Sequence, residues 1–447
     1  MKFYLEKPQI KRSLLEVEIP RALSGDKKSE VLDFVKRTSE LEYLYWDKIK
    51  HKEPSPVGIS KETLWSVVKV FREQKGIPTG IQDIKGKSFT WSKLIYFEEF
   101  LHKIDMNTGG EIFVGQADFK KGQKQKLISR GILEEAIASS QLEGAATSRQ
   151  SAKRMIQEGR TPTNKSEQMI LNNYLSLRSI EEKYKDEKMS LDLLLELHGL
   201  ITKDTLDSQG EKPRLRKKSE PICVSDKVTG DIYHEGPDMD FVKNELKKLI
   251  GFANDEFGPE TFIHPVIKAI MLHFWLGYLH PFTDGNGRLA RLLFYWYLLK
   301  EGYWAFAYLP ISKVIKKSPI QYMMAYVYSE QDDNDLTYFI DYNFNKIKLA
   351  LKDFTAYLEA QAKNNLQMKK KSETEYDLNT RQVQLLQYFH GDADARTSMK
   401  AHMNINQVSK MTANKDLKDL VKKSFLISKK QGKYVYYYAT DKIKGLF

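Results

Sequence analysis

Cysteine is almost absent from this chain: Cys223 is the only one in 447 residues. One thiol excludes an internal disulfide framework and any cysteine-rich zinc site, and it suits a reducing, cytoplasmic setting. The opening Met1-Lys2-Phe3-Tyr4-Leu5-Glu6 lacks the apolar core of a signal peptide, and no stretch is apolar for the length a membrane helix needs. The expectation is a cytoplasmic protein with no membrane partner. Acidic residues are in deficit, 59 against 71 basic, which leaves a net charge of +12. Such a surface favours nucleotide or nucleic acid, unless its lysines are simply solvated. A P-loop is also missing: between Gly80 and Gly86-Lys87-Ser88 stand five residues where that motif requires four, so the stretch reads as an ordinary loop. Apolar residues are not scarce. At 41% hydrophobic and 12% aromatic, a chain of this length can fill the cores of two or three domains.

The chemistry is concentrated in His280-Pro281-Phe282-Thr283-Asp284-Gly285-Asn286-Gly287-Arg288-Leu289-Ala290-Arg291. Before it, Pro265 to Leu279 reads as a helix, with Pro265 at the first position and Val266, Ala269, Ile270, His273, Phe274 and Gly277 at helical spacing. After it, Leu289, Leu292, Leu293, Trp296 and Leu299 repeat the same period. A Gly-Asn-Gly loop opening a helix gathers backbone N–H groups, and the helix start adds partial positive charge, so phosphate is the natural guest. Arg288 and Arg291 lie three apart on the emerging helix and offer two guanidinium forks. Asp284 adds a hard oxygen ligand suited to Mg2+, and His280 can take a proton from an incoming hydroxyl. These parts describe phosphoryl or nucleotidyl transfer from a Mg-nucleotide to an alcohol.

The string resembles the signature of the Fic family, His-Pro-Phe-x-Asp/Glu-Gly-Asn-Gly/Lys-Arg-x-x-Arg. The resemblance implies that His280 is the general base, that Asp284 holds Mg2+, that Gly285, Asn286 and Gly287 form the anion hole, and that Arg288 and Arg291 grip the phosphates of ATP. Glycine at position 287, where some relatives have lysine, is similar to members that transfer AMP. Upstream, Ser139-Ser140-Gln141-Leu142-Glu143-Gly144 resembles the family's inhibitory motif Ser-x-x-x-Glu-Gly, which implies inhibitory roles for Ser139 and Glu143. A carboxylate brought to Arg291 would form a bidentate pair and occupy the fork meant for a terminal phosphate.

Taken in order, residues 1–120 are expected to form a separate helical N-terminal region with Pro/Gly-rich interruptions and core aromatics such as Trp46, Trp65, Trp91 and Tyr96. A Fic domain is expected over 121–362, with an inhibitory helix at 126–144 whose stripe includes Leu127, Ile128, Ile132, Leu133, Ala136 and Ile137. A flap hairpin is expected at 212–235, turning at Thr229-Gly230, and by resemblance it aligns a target strand. His234 beside it is expected to be exposed. Tyr322 is the candidate contact to the nucleotide base. Residues 363–375 read as a charged linker, and 376–447 resemble a winged helix-turn-helix. There Lys410, Lys415, Lys418 and the wing lysines face phosphates and Asn414 a base edge if the partner is DNA. His390 and His402 read as structural.

The expected fold class is mainly α, a helical Fic core with a β-hairpin flap. The expected activity is AMP transfer from ATP to a Ser, Thr or Tyr hydroxyl of a protein, or of the chain itself, restrained by Glu143. Two rivals stand beside it: a hydrolase removing AMP at the same site, and a DNA-binding regulator whose Fic core senses nucleotide. Homo-oligomerisation is left open by the sequence.

Overall fold

The computed structural model describes residues 1–10, 14–106, 121–206, 213–226, 228–256, 262–390, 395–432 and 434–445; for 14–15, 121–128, 358, 361–375 and 444–445 it gives the backbone alone. The expected positions of Lys212 in the flap and Lys433 in the wing, and the side chains of Leu127 and Ile128, lie outside the described residues.

Two antiparallel helices, Pro265–Leu279 and Asn286–Lys300, form the centre. Both are apolar on nearly every face, which is what a helix needs when neighbours surround it. Pro265 sits at the first position and the His264 side chain accepts a hydrogen bond from Val266 N–H, so the entry is capped. Around the pair pack helices Lys121–Leu142, Lys165–Glu182, Leu191–Thr202, Met239–Ala253, Pro319–Gln331 and the long Thr337–Glu375. The molecule is mainly α, with three small sheets among the described residues.

The N-terminal region is not a separate module. Val31, Leu64, Trp65, Phe89 and Phe97 belong to the same contiguous core as Phe274, Trp296 and Phe339. Strands Ile77–Gln82 and Ser88–Trp91 form a hairpin there, where the sequence read as loop, because Asp83 Oδ1 accepts from Lys85 and Lys87 N–H and closes the turn. Thr90 then exchanges backbone hydrogen bonds with Asn334 and Leu336 (2.9 and 2.8 Å), and buried Arg72 donates to Tyr338 Oη (2.6 Å). These ties fuse the region to the centre.

Residues 376–445 pack around a core of their own, with Leu386, Phe389, Leu417, Leu420 and Phe425. Helices Thr380–His390, Met399–Asn406 and Lys410–Lys422 lie with a three-stranded antiparallel sheet in which Tyr434–Ala439 is central, flanked by Arg396–Ser398 and Leu426–Gln431. The segment expected as a linker, 363–375, is instead the last part of the Thr337–Glu375 helix. Its run of Lys, Glu, Gln and Met residues favours helix even though it has few apolar side chains.

Candidate active site

The site is built at the break between the two central helices. His280 ends the first in a left-handed conformation (φ 46°). Its Nδ1 lies 2.8 Å from Gly277 O; a carbonyl only accepts, so Nδ1 carries the hydrogen and Nε2 holds the lone pair. Burial, and after it the charge of His234, pulls the His280 pKa down to about 4, so the ring is neutral at physiological pH, with Nε2 unprotonated.

The loop that follows is held rigid. Asn286 Oδ1 accepts from Phe282 N–H (3.0 Å) and its Nδ2 donates to Phe282 O (2.8 Å). The Asn286 side chain is thereby spent on the loop, which leaves only its backbone N–H for an anion. Phe282 is buried and His198 stacks on it at 3.8 Å, while His198 Nε2 donates to Asp284 O (2.9 Å). From the other side, Arg216 N–H donates to Pro281 O and Arg216 Nε to His280 O, both at 2.9 Å.

The second helix begins at Asn286 without a side-chain cap. Leu289 N–H is the first to bond back, to Gly285 O (2.9 Å), so the preceding N–H groups lack helical partners. Gly285 adopts φ 84°, and a Cβ there would come within 2.8 Å of Thr202 Cγ2. Both arginines are turned inward. Arg288 donates to Ile201 O (2.9 Å) and pairs with Asp284 (3.2 Å), and its Nε is buried without a partner among the described residues. Arg291 donates through Nε to Ser139 Oγ (2.8 Å) and through Nη2 to Ser139 O (3.0 Å) and Glu143 Oε1 (2.8 Å). Its Nη1 is likewise buried and unpartnered among the described residues. A helix start with spare donors beside two inward guanidinium groups fits a bound polyphosphate.

Glu143 follows the Lys121–Leu142 helix and reaches into this gap. The expected bidentate pair with Arg291 is instead a single contact through Nη2, while Ser139 engages Nε and Nη2 and Nη1 stays unpaired among the described residues. Burial raises the Glu143 carboxyl, but Arg291 outweighs it and holds the group below the ordinary glutamate value. A Cβ at position 287 would lie 2.3 Å from Glu143 Oε1, so Gly287 is what allows this carboxylate its approach.

Asp284 keeps 48% of its side chain exposed and accepts from Gly285 N–H. Among the described residues no group of three or more His, Cys, Asp or Glu side chains gathers to hold a metal. One exposed carboxylate beside a helix start with spare N–H donors nevertheless fits Mg2+, an ion that usually takes one or two carboxylates and fills its other positions with water and phosphate oxygens. Tyr322 is half-buried, with its hydroxyl 2.7 Å from His273 Nε2 and its ring near Tyr326 and Tyr342. His273 is buried and its pKa is drawn to about 3, by burial and then by Arg291.

The flap hairpin is formed by Cys223–Ser225 and Ile232–Glu235. Its turn is longer than Thr-Gly alone: Asp226 Oδ1 accepts from Val228 and Thr229 N–H, and Gly230 closes it at φ 72°. The residue expected to be exposed, His234, is buried at 7% exposure, because the strand lies directly on the first central helix. On the hairpin's outer side Phe3 N–H donates to Ile232 O and Ile232 N–H to Met1 O, a single parallel bridge between Lys2 and Ile232. Arg216, His198 and His234 were not singled out from sequence as site residues; each is far along the chain from the atoms it meets.

Residues 188–298 match the model of the Fic/DOC family. Over 122 residues the chain is 33% identical to the protein adenylyltransferase Fic of Nematostella vectensis, covering 27% of this chain and 25% of that one. It is 30% identical over 128 residues to the protein adenylyltransferase fic-1 of Caenorhabditis elegans, 28% of this chain and 22% of that one. The chain thus spans about a quarter of the length of these relatives. Among solved structures, a Fic family protein from Desulfovibrio desulfuricans G20 is similar over 78% of this chain and 97% of its own, with a TM-score of 0.49 and 17% identity. Over residues 188–298, which carry the break between the central helices, the chain is similar to the Fic/DOC family.

Proposed function

We propose that the chain is a protein adenylyltransferase held back by Glu143. The observation that carries this is the uncapped start of the Asn286–Lys300 helix, with unpartnered Arg288 and Arg291 donors beside a neutral imidazole. The hydroxyl oxygen of a Ser, Thr or Tyr attacks the α-phosphorus of ATP and its proton passes to His280 Nε2. The new P–O bond forms as the bond to pyrophosphate breaks. The N–H groups of Asn286, Gly287 and Arg288 stabilise charge on the α-phosphate, Arg288 and Arg291 orient the outer phosphates, and Tyr322 is the candidate neighbour of the base. Asp284 is suited to hold Mg2+, which when bound neutralises phosphate charge.

Glu143 lies on the Arg291 fork and over Gly287, so ATP meets a carboxylate where its terminal phosphate belongs. Because residues 1–3 cover one edge of the flap, the exposed strand Cys223–Ser225 is the edge left for a target segment to join. Incubation of Glu143→Gly with α-labelled ATP tests the assignment: label on protein supports it, and label that persists in Glu143→Gly/His280→Ala refutes the role of His280.

A second reading concerns residues 376–447, whose topology supports a winged helix. There Asp416 is turned inward to Arg381, Asn379 and His402, whereas Lys410, Lys415, Lys418 and Lys422 are exposed. That face suits duplex DNA. Salt-dependent binding of a short duplex by the full chain, weakened in Lys415→Glu/Lys418→Glu, supports it, and absence of binding at low salt counts against it.

A further inference from the structure

His234 sits on the flap strand, behind His280, with both ring nitrogens engaged. Its Nε2 is 2.8 Å from Tyr278 O and its Nδ1 is 2.8 Å from Glu330 Oε2. A carbonyl oxygen accepts only, and so does an ionised carboxylate, so each nitrogen must bring a hydrogen. A ring with two N–H groups is an imidazolium. Glu330 comes from the Pro319–Gln331 helix, and its Oε1 is buried with no partner among the described residues. Among the described residues, the His234 contact is therefore the hydrogen bond this carboxylate makes. The remaining titratable neighbours are Lys2, which pairs with Glu235 on the same strand, and the neutral His280, whose ring centre lies 6.0 Å from that of His234.

We propose that His234 is a positioning residue for the transfer reaction: a buried imidazolium, fixed by Glu330, that stands behind His280 and keeps that ring free of protons while pinning the flap strand to the end of the helix that carries it. The proposal rests on His280 being the base. Two cations at this separation repel, so protonating His280 beside a charged His234 is disfavoured. The shifts agree in sign. Burial opposes charge on His234, but Glu330 prevails and raises its pKa; for His280, His234 adds to burial in lowering it. Tyr278 couples the two structurally, because the carbonyl that receives the His234 hydrogen bond lies two residues before His280.

Full-length chain labelled with 15N-histidine supplies the direct test, through long-range 1H–15N correlation near neutral pH. His234, assigned by the resonance lost in His234→Gln, is expected to show two protonated nitrogens; one unprotonated nitrogen overturns the proposal. In His234→Gln and in Glu330→Gln, the His280 titration midpoint is expected to rise by roughly one pH unit or more, at an effective dielectric near 20. The acidic limb of kcat/KM should follow it. A midpoint that stays in place in both variants, with activity lowered uniformly across pH, assigns His234 a structural role and overturns the tuning. The spectroscopic arm needs no turnover, so failure of the charge pair is distinguishable from failure of His280 as base, which His280→Ala alone decides.

Discussion

The break between the central helices and the C-terminal region use buried charge in opposite ways. Around Asp416 the charge is complete: the carboxylate receives Arg381 through two nitrogens, Asn379, and His402, and at 3% exposure it meets little water. Around Arg288 and Arg291 the charge is left incomplete, with a buried donor on each guanidinium unpaired among the described residues. Leaving a buried donor unpaired is costly, so its persistence at a helix start points to a ligand, whereas a closed cluster points to folding.

The comparison breaks most readily at Asp416. Asp416→Ala leaves Arg381 and His402 facing an apolar gap and is expected to cost the C-terminal region about 3–5 kcal/mol, read as loss of hydrogen-exchange protection over 376–445. Protection that survives would mean the cluster is not what holds this region. Next in size is Arg291→Ala in a Glu143→Gly background, where the fork has no inhibitory partner. Transfer is expected to fall by about 10²–10³, and a loss below threefold would show that its spare donor serves no phosphate.

Glu143→Gly alone sharpens the contrast in the other direction. Removing the carboxylate from the incomplete site is expected to raise transfer roughly 5–150-fold, the span of a typical coupling free energy of about 1–3 kcal/mol between a restraining group and a bound ligand. A fall would instead favour Glu143 as a participant in catalysis, as the hydrolytic rival requires, and release of AMP from a pre-modified target would then be the measurement to make.

The smallest effect concerns pH. His273, with its folded pKa about 3, takes up a proton on unfolding at any pH between that value and the ordinary 6.5. The unfolded state binds more protons in this window, so the residue makes stability fall as pH drops through 6.5 towards 3. His234 has the opposite sign, since its raised pKa contributes stability that is full below 6.5 and lost as pH rises through its folded value. In urea unfolding, the change in stability between about pH 7 and about pH 5.5 is expected to be less unfavourable by about 1 kcal/mol in His273→Asn than in the parent. An unchanged difference would contradict a neutral buried His273.

The parts legible in the sequence are those made by neighbours in the chain. His280, Asp284 and the Gly-Asn-Gly turn lie within eight residues, so helical period and turn chemistry were enough to anticipate a loop between two buried helices. Glu143 stood out only through the resemblance of Ser139-Ser140-Gln141-Leu142-Glu143-Gly144 to an inhibitory motif, and the structure brings Ser139 and Glu143 to the same guanidinium. Arg216, His198 and His234 meet the site across separations of 64, 86 and 44 residues, and no local pattern records such contacts. His234 was misjudged for a related reason: alternation in a short strand says that one face is covered, not what covers it. The N-terminal region was read as separate because its Pro/Gly-rich interruptions look like boundaries, while the bonds from Thr90 to Asn334 and Leu336 that fuse it to the centre are long-range.

The central claim, that one neutral imidazole serves a phosphate site which Glu143 blocks, meets its most direct test in a single labelling experiment. Purified Glu143→Gly and Glu143→Gly/His280→Ala are incubated with α-labelled ATP and Mg2+, and protein-bound label is counted over time. The prediction is label on the first and at least about 10²-fold less on the second. Equal labelling of the two would contradict it.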